Sequence, residues 1–310
     1  MGKIKTLARL LTSDRRALEI AIAVNFSRSK LSHLLSDKAY IKYMYRAVVG
    51  KKLDLKNPKT FNEKLQWLKI YNRDPQYCEL VDKVEVKKYI ADAIGDEYVI
   101  PTLGVWNKFD DIDFEALPEQ FVLKCTHDSG STVICRDKAT FDVEKAKAKL
   151  ERKLGMNLFW HGREWPYKNL KPRIIAEKYM EQAGEKDLTD YKFFCFNGDP
   201  KFLYVSVGLS NHETAQIGYV DLNWQKMPFK RMDFADLTVL PPKPVNLDKM
   251  IERATQLSAV SPFLRVDFYE INGRLYFGEL TFFPGSGFTV FEPEEWDRTF
   301  GEWVDLSDLG

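Results

Sequence analysis

Asp267 and Glu279 are the residues of this sequence best suited to holding a metal ion, with Arg265 suited to holding a phosphate beside it. They lie in the stretch 264–281, where apolar and polar residues alternate on either side of Asn272-Gly273, the pattern of two strands joined by a tight turn. Whether they meet depends on register. A strict two-residue turn pairs Asp267 with Gly278 and sends Glu279 to the opposite face. A three-residue loop, Ile271 to Gly273 with Gly273 in a left-handed bulge position, pairs Arg265 with Glu279 and sets Asp267 diagonally beside it. The second register is the expected one, because all three side chains then share a face. Two carboxylates beside a guanidinium on rigid strands suit Mg²⁺ bridged to nucleotide phosphates. A solvated hairpin with a surface ion pair is the plain alternative.

Three further groups carry charge where strands are expected. Lys124 sits in the apolar stretch 120–125, and a lysine there needs an anionic partner to offset its desolvation. His127, Asp128, Ser129, Gly130 and Ser131 follow as a short flexible loop, and a returning strand is expected over 132–135. Such a loop can fold backbone N–H groups over phosphates with Lys124 below, although it is no Walker A loop, since a strand and not a helix follows it. The apolar stretch 173–180 ends in polar residues and leads to a strand on which Asp190 and Lys192 share a face. Between them, residues 159–167 offer aromatics able to stack on sugar rings and Arg163 to hold a carboxylate. Taken singly, these read equally as a hairpin turn, a sheet edge and a helix-to-strand connection.

The elements that must position these groups begin at residue 57. Asn57-Pro58-Lys59-Thr60 is a turn with an N-cap threonine, and 61–71 reads as an amphipathic helix offering Phe61, Leu65, Trp67 and Leu68 to the core. A second helix is expected from about 78 to 94, stopped by Gly95. Pro101 and the acidic stretch 110–115 then connect to the first strand. With 310 residues, 45% hydrophobic and 29% charged, the chain can bury a full core in two or three subdomains. Four cysteines and four histidines are scattered without zinc spacing, so reduced thiols and a cytoplasmic location are expected.

The net charge of +1 conceals an asymmetry: residues 1–60 hold 14 Lys or Arg against 4 Asp or Glu, and the remaining 250 hold 32 against 41. The apolar run 17–26 lacks a cleavage site and is too short to cross a bilayer, which needs about 20 residues. Leu7, Leu10, Leu11, Leu18, Ile22, Leu31, Leu34 and Leu35 recur at helical spacings among Lys3, Lys5, Arg9, Arg15, Arg16, Arg28 and Lys30. That suits either an anionic membrane surface or a helical pair packed on the body. Met1 to Thr6 also fit a myristoylation pattern, one short enough to arise by chance.

The order of lysine strand, glycine loop, glutamate at a strand end, Asp-x-Lys, Arg-x-Asp and Glu-x-Thr resembles the ATP-grasp superfamily, and over about residues 38–305 its TupA-like branch. The most specific strings are Asn57 to Trp67, Gly162 to Lys168 and Gly278 to Gly287. The resemblance implies an α+β fold with two mixed subdomains closing on ATP. Its expected divisions are a basic helical region 1–56, a helical region 57–118, a small subdomain 119–185 and a large one 186–310. It implies that Lys83 and Lys124 contact phosphates under the 127–131 loop, and that Glu177, Lys178, Tyr179 and Met180 form the adenine hinge. Asp190 and Lys192 would lie at the ribose and γ-phosphate side, and Arg265 with Lys192 would act on the phosphoryl group. Asp267 and Glu279 would bind Mg²⁺. Thr281 stands where many relatives have asparagine, which leaves a second ion open.

The implied reaction is amide formation through an acyl phosphate, with a uronic acid of a bacterial surface polysaccharide as carboxylate and an amino acid or other amine as partner. Arg163 and Trp165 are the expected substrate-binding residues. No nucleic-acid partner is expected, and the cytoplasmic face of the membrane is a second expected location. Competing readings are a glycosyltransferase using Asp111-Ile112-Asp113, an ATP-dependent glycan kinase, and a non-catalytic assembly module.

Overall fold

The computed structural model describes residues 15–184, 188–207, 215–232 and 234–309. Lys3, Lys5, Leu7, Arg9, Leu10, Leu11 and the Met1–Thr6 pattern therefore lie outside the described residues.

Helix α1 (Arg15–Ser27), a 3₁₀ turn (Lys30–Leu34) and α2 (Asp37–Val48) form a small helical layer. Ser36 starts α2 by accepting a hydrogen bond from the Ala39 amide at 3.3 Å. Tyr40, Ile41, Met44 and Tyr45 are buried with Ala23, Leu53 and Leu55, and this cluster joins the body through Trp67, Ile70 and Phe288. No described helix is long and apolar enough to cross a membrane.

Helix α3 (Phe61–Tyr71) has the expected bounds, because Thr60 and Glu63 form a reciprocal capping box. The second expected helix is in fact two, α4 (Gln76–Val81) and α5 (Glu85–Ile94). Asp82 causes the break: its carboxylate accepts from the amides of Val84 and Glu85 at 2.8 and 3.2 Å, capping α5 before α4 can run on.

The smaller sheet is built from β1 (Thr102–Trp106), β2 (Phe121–Cys125), β3 (Val133–Cys135) and β4 (Ile174–Lys178), in the order β1-β4-β2-β3 with all neighbours antiparallel. Helix α6 (Val143–Leu154) covers it with Ala146 and Leu150, and the short α7 (Phe159–Gly162) opens the connection back to β4. Two of the expected divisions change. The small sheet takes its edge strand from 102–106, upstream of the expected start at 119, because β1 pairs with β4. Residues 57–118 are also not a separate region: Phe61, Leu65, Leu68, Tyr77, Leu80, Val86 and Ile90 belong to the core of the larger sheet.

That larger sheet contains β5 (Asp190–Phe196), β6 (Asp199–Val207), β7 (Gln216–Asp221), β9 (Ala235–Asp236), β10 (Phe263–Ile271) and β11 (Arg274–Thr281). Their order is β11-β10-β5-β6-β7-β9, antiparallel except between β7 and β9. The short β8 (Lys230–Arg231) and β12 (Phe291–Glu292) pair separately. Helix α8 (Leu247–Ser258) packs on β10, β5 and β6. Alternation along β5 sets Asp190, Lys192, Phe194 and Phe196 on one face. Phe194 and Phe196 enter an aromatic cluster with Phe61, Phe202, Phe263 and Phe300 of α9 (Glu295–Trp303), which leaves the charged end of the same face open.

Candidate functional site

The hairpin of β10 and β11 reaches a shared face by a different route from the one expected. Asn272 and Gly273 both have positive φ, 51° and 75°, and Ile271 pairs with Arg274, so the turn has two residues. That register persists to Phe268 opposite Phe277, then shifts to Val266 opposite Leu280 and Arg265 opposite Thr281. Asp267 thus faces both Gly278 and Glu279, and the extra residue of the bulge lies on β11. A side chain at Gly278 would meet the Asp267 carbonyl at 3.1 Å and the Tyr269 ring at 3.2 Å, so glycine allows the strands this approach. The bulge turns Glu279 back onto the face of Arg265 and Asp267.

On that face the Arg265 guanidinium grips Asp267 through two hydrogen bonds, Nε to Oδ1 and Nη2 to Oδ2, both 2.7 Å. The same Nη2 donates to Glu279 Oε1 at 2.7 Å. Lys192, directly across from Asp267 on β5, donates to Asp267 Oδ2 at 2.6 Å and to Asp190 Oδ1 at 2.9 Å. Thr281 Oγ1 donates to Glu279 Oε1 at 3.3 Å and so orients that carboxylate. Three carboxylates face two cations on this floor. One negative charge is left over, which suits a divalent ion.

Burial pushes the Asp267 carboxyl up while Arg265 and Lys192 pull it down. Burial opposes the charges of Arg265 and Lys192 too, but Asp267 foremost holds both well above their ordinary values, so both stay charged at neutral pH, whereas burial leaves the Asp267 carboxyl above its ordinary value. Glu279 differs: burial would raise it, yet Arg265, Lys192 and Lys83 bring it down to about 2. Its side chain is 48% exposed, so the carboxylate is both ionised and reachable.

The opposite wall is cationic. Glu177 on β4 is bracketed by Lys124 of β2 at 2.5 Å and Lys87 of α5 at 2.7 Å. Lys83 stands at the α4–α5 break, its amide bonded to the Thr126 carbonyl at 3.1 Å and its ammonium on the Asp128 carbonyl. Burial lowers the pKa values of Lys83 and Lys87. Three lysines against one glutamate leave two positive charges, which suit phosphates. Wall, floor and loop line one cleft of about 650 Å³, except that Asp267, expected as a metal ligand, is buried beneath Arg265 and Lys192 and does not itself line it.

In the 127–131 loop only Ser129 and Gly130 are exposed, with Gly130 at φ 82°. Asp128 and Ser131 brace it from within: Ser131 Oγ donates to Asp128 Oδ1 at 2.6 Å and accepts from the Cys125 amide at 2.8 Å. His127 does not line the cleft as expected. Its ring is buried with Nε2 3.0 Å from the Met156 carbonyl, anchoring the loop's root.

The expected hinge divides. Glu177 faces the cleft, whereas Lys178 and Tyr179 line a depression on another side with Leu103 and Arg136: alternation turns Lys178 away, and Tyr179 lies past the end of the strand. Met180 is half-buried beyond the strand and does not line the cleft.

Arg163 and Trp165 do not line the cleft either, contrary to expectation. Arg163 is fully buried under the helical layer, donating to the Ser32 carbonyl at 2.7 Å and meeting Asp37 at 3.3 Å. Its guanidinium lies over the rings of Tyr40 and Trp160, 4.3 and 4.5 Å from their centroids. Trp165 carries the guanidinium of Arg73 over its ring at 5.4 Å. In the same segment it is Glu164 and Tyr167 that line the cleft.

Sequence reasoning passed over Lys87, Glu164, Arg231 and Ser286, all in the cleft lining. Lys87 was findable, one helical turn after Lys83. Ser286 was not: it sits at φ 53°, held by Gln66 and Lys69 of α3 on its carbonyl at 3.0 and 2.7 Å and by Glu164 on its hydroxyl. Burial lowers the Lys69 pKa to about 7 and raises that of Glu164. Asp111, Ile112 and Asp113 do not line the cleft, and Asp113 caps a turn by accepting from the Glu115 and Ala116 amides at 3.0 and 3.3 Å.

A lysine wall over a floor of arginine and carboxylates, on two sheets, agrees with the sequence match: the model of the TupA-like ATP-grasp family covers residues 63–305. The chain belongs to that family. No curated protein matches it. Among solved structures it is similar to D-alanine–D-alanine ligase from Bacillus anthracis in complex with ATP, at 16% identity over 65% of this chain and 54% of that one, TM-score 0.38. It is also similar to D-alanine–D-alanine ligase from Helicobacter pylori, at 14% identity over 82% and 69%, TM-score 0.40. A third is the ATP-grasp ligase PsnB complexed with minimal precursor, at 10% identity over 83% and 65%, TM-score 0.40. The matched part spans between about half and two thirds of those chains, and likenesses this distant say nothing of this chain's substrates.

Proposed function

We infer that the cleft binds ATP with Mg²⁺ and that the protein is a carboxylate–amine ligase. The observation that carries this reading is the single Arg265 nitrogen shared by Asp267 and Glu279, facing the excess positive charge of Lys83, Lys87 and Lys124. The residues fit the ion. Glu279 would hold the ion from the cleft surface, and Asp267 Oδ2, which lies within twice 2.7 Å of Glu279 Oε1, stands behind it. Among the described residues no group of three or more His, Cys, Asp or Glu could hold a metal alone. Mg²⁺ commonly takes one or two carboxylates and completes its shell with phosphates and water. When bound, the ion supplies charge neutralisation at the transferred phosphoryl group.

In this reading Lys124 and Lys83 hold the phosphates, the amides at Ser129 and Gly130 cover them, and Glu177 receives the adenine edge. Asp190 lies toward the ribose. Lys192 and Arg265 steady charge on the phosphoryl group in flight. The acceptor carboxylate attacks the γ-phosphorus, an O–P bond forms, and the bond to ADP breaks. An amine then attacks the acyl carbon, loses a proton, and expels phosphate, leaving an amide. Loop closure keeps water from the acyl phosphate.

We assign the carboxylate to a uronic acid of a surface glycan or its precursor and the amine to an amino acid, with the reaction on the cytoplasmic side. Product analysis tests this: protein, ATP, Mg²⁺ and a panel of uronates and amino acids should give ADP plus an amide by mass spectrometry. ADP plus a phosphoester would establish a glycan kinase instead. Release of nucleoside diphosphate from a sugar donor would establish a glycosyltransferase, and no product across the panel would favour a non-catalytic role.

A further inference from the structure

We propose that the turn Lys30–Leu34 and the residues beside it form a docking tip for an anionic lipid bilayer, with Leu31, Leu34 and Leu35 as the inserting side chains. Leu31 and Leu34 are 66% and 81% exposed, and Leu35 is also exposed. Apolar side chains on a surface turn ordinarily need no explanation when scattered, but these three lie within five residues.

The turn is also strapped to the body. Ser32 is fully buried between the leucines, its carbonyl taking the 2.7 Å hydrogen bond from Arg163 and its hydroxyl donating to the Ser29 carbonyl at 2.9 Å. The His33 ring stacks on Trp160 at 3.8 Å, and the Tyr40 hydroxyl donates to the His161 carbonyl at 2.7 Å. A buried guanidinium is an expensive way to fix a surface turn, and here it holds the leucines outward.

The charge around them names the partner. Over residues 28–46 the chain carries Arg28, Lys30, Lys38, Lys42 and Arg46, all exposed, against one acid. That acid, Asp37, already meets Arg73 at 2.8 Å and Arg163 at 3.3 Å. Exposed leucines in a segment with this surplus of exposed cations match the boundary between acyl chains and anionic headgroups, where apolar burial and electrostatic attraction add. Three apolar side chains beside cations bind a bilayer reversibly at its surface.

This stands independently of the reaction proposed for the cleft. Its test is sedimentation of the full chain with phosphatidylglycerol–phosphatidylcholine vesicles, comparing wild type with the triple variant L31S/L34S/L35S. Wild type should sediment at low salt and be released by high salt. The triple variant should partition at least about tenfold less, with its melting temperature and its turnover on soluble substrates unchanged. Equal sedimentation of the two proteins, or none by wild type, would overturn the proposal. So would a wild-type dimer, seen by light scattering, that the triple substitution dissociates, since the leucines would then face a second copy.

Discussion

Arg265 and Arg163 are both buried, both paired with a carboxylate and both close to aromatic rings, yet one faces a cleft and the other a seal. Around Arg265, carboxylates outnumber cations by one, and Glu279 remains half exposed at the cleft surface. Around Arg163, the guanidinium is spent on the Ser32 and Trp160 carbonyls, Asp37 and three rings, with no accessible surface left. Burial and ion pairing alone do not mark a site. What does is local charge left uncompensated and open to solvent.

The comparison can be broken by substitution. Glu279→Gln removes an exposed ligand and should lower turnover about 10³-fold in an ADP-release assay, with the melting temperature within about 2 °C of wild type. Turnover within tenfold of wild type would remove Glu279 from the site. Asp267→Asn should be equally inactive but also less stable by about 3 kcal/mol in urea, because Arg265 and Lys192 lose their shared buried counterion. Arg163→Met should reverse that pattern, costing about 3 kcal/mol while ATP affinity stays within twofold. A weaker ATP complex with full stability would instead return Arg163 to the cleft.

Lys124→Ala should weaken ATP by roughly 10- to 100-fold in calorimetry. Glu177 keeps Lys87 as partner, so stability should change little. The smallest effect concerns pH. With its pKa lowered to about 2, Glu279 gains its favourable interactions above the ordinary carboxylate range and loses them only as pH falls through that value. Affinity for Mg²⁺ with ADP should therefore show no titration between about pH 5 and 8 that Glu279→Gln removes. A midpoint near 6 that vanishes in that variant would contradict the assignment.

Much of the hairpin was readable because strand alternation is strict: one extra residue was needed to bring Asp267 and Glu279 to one face. Its position was not. Asn272 and Gly273 both accept positive φ, so the turn closes without a bulge, and Gly278, the one position lacking a side chain opposite Asp267, takes the extra residue instead. The Arg163 segment was opaque for a different reason. Its partners Ser32, Asp37 and Tyr40 lie more than 120 residues away, and no local pattern reports such a contact. The edge strand 102–106 escaped for the same cause, being defined by its pairing with β4.

The central claim is that the cleft activates a carboxylate by phosphorylation, and oxygen transfer tests it most directly. A uronate labelled with ¹⁸O in its carboxyl group, incubated with the protein, ATP, Mg²⁺ and an amine, should yield inorganic phosphate carrying one ¹⁸O per amide formed. Amide formation with unlabelled phosphate, or the label retained in a phosphorylated glycan, would contradict it.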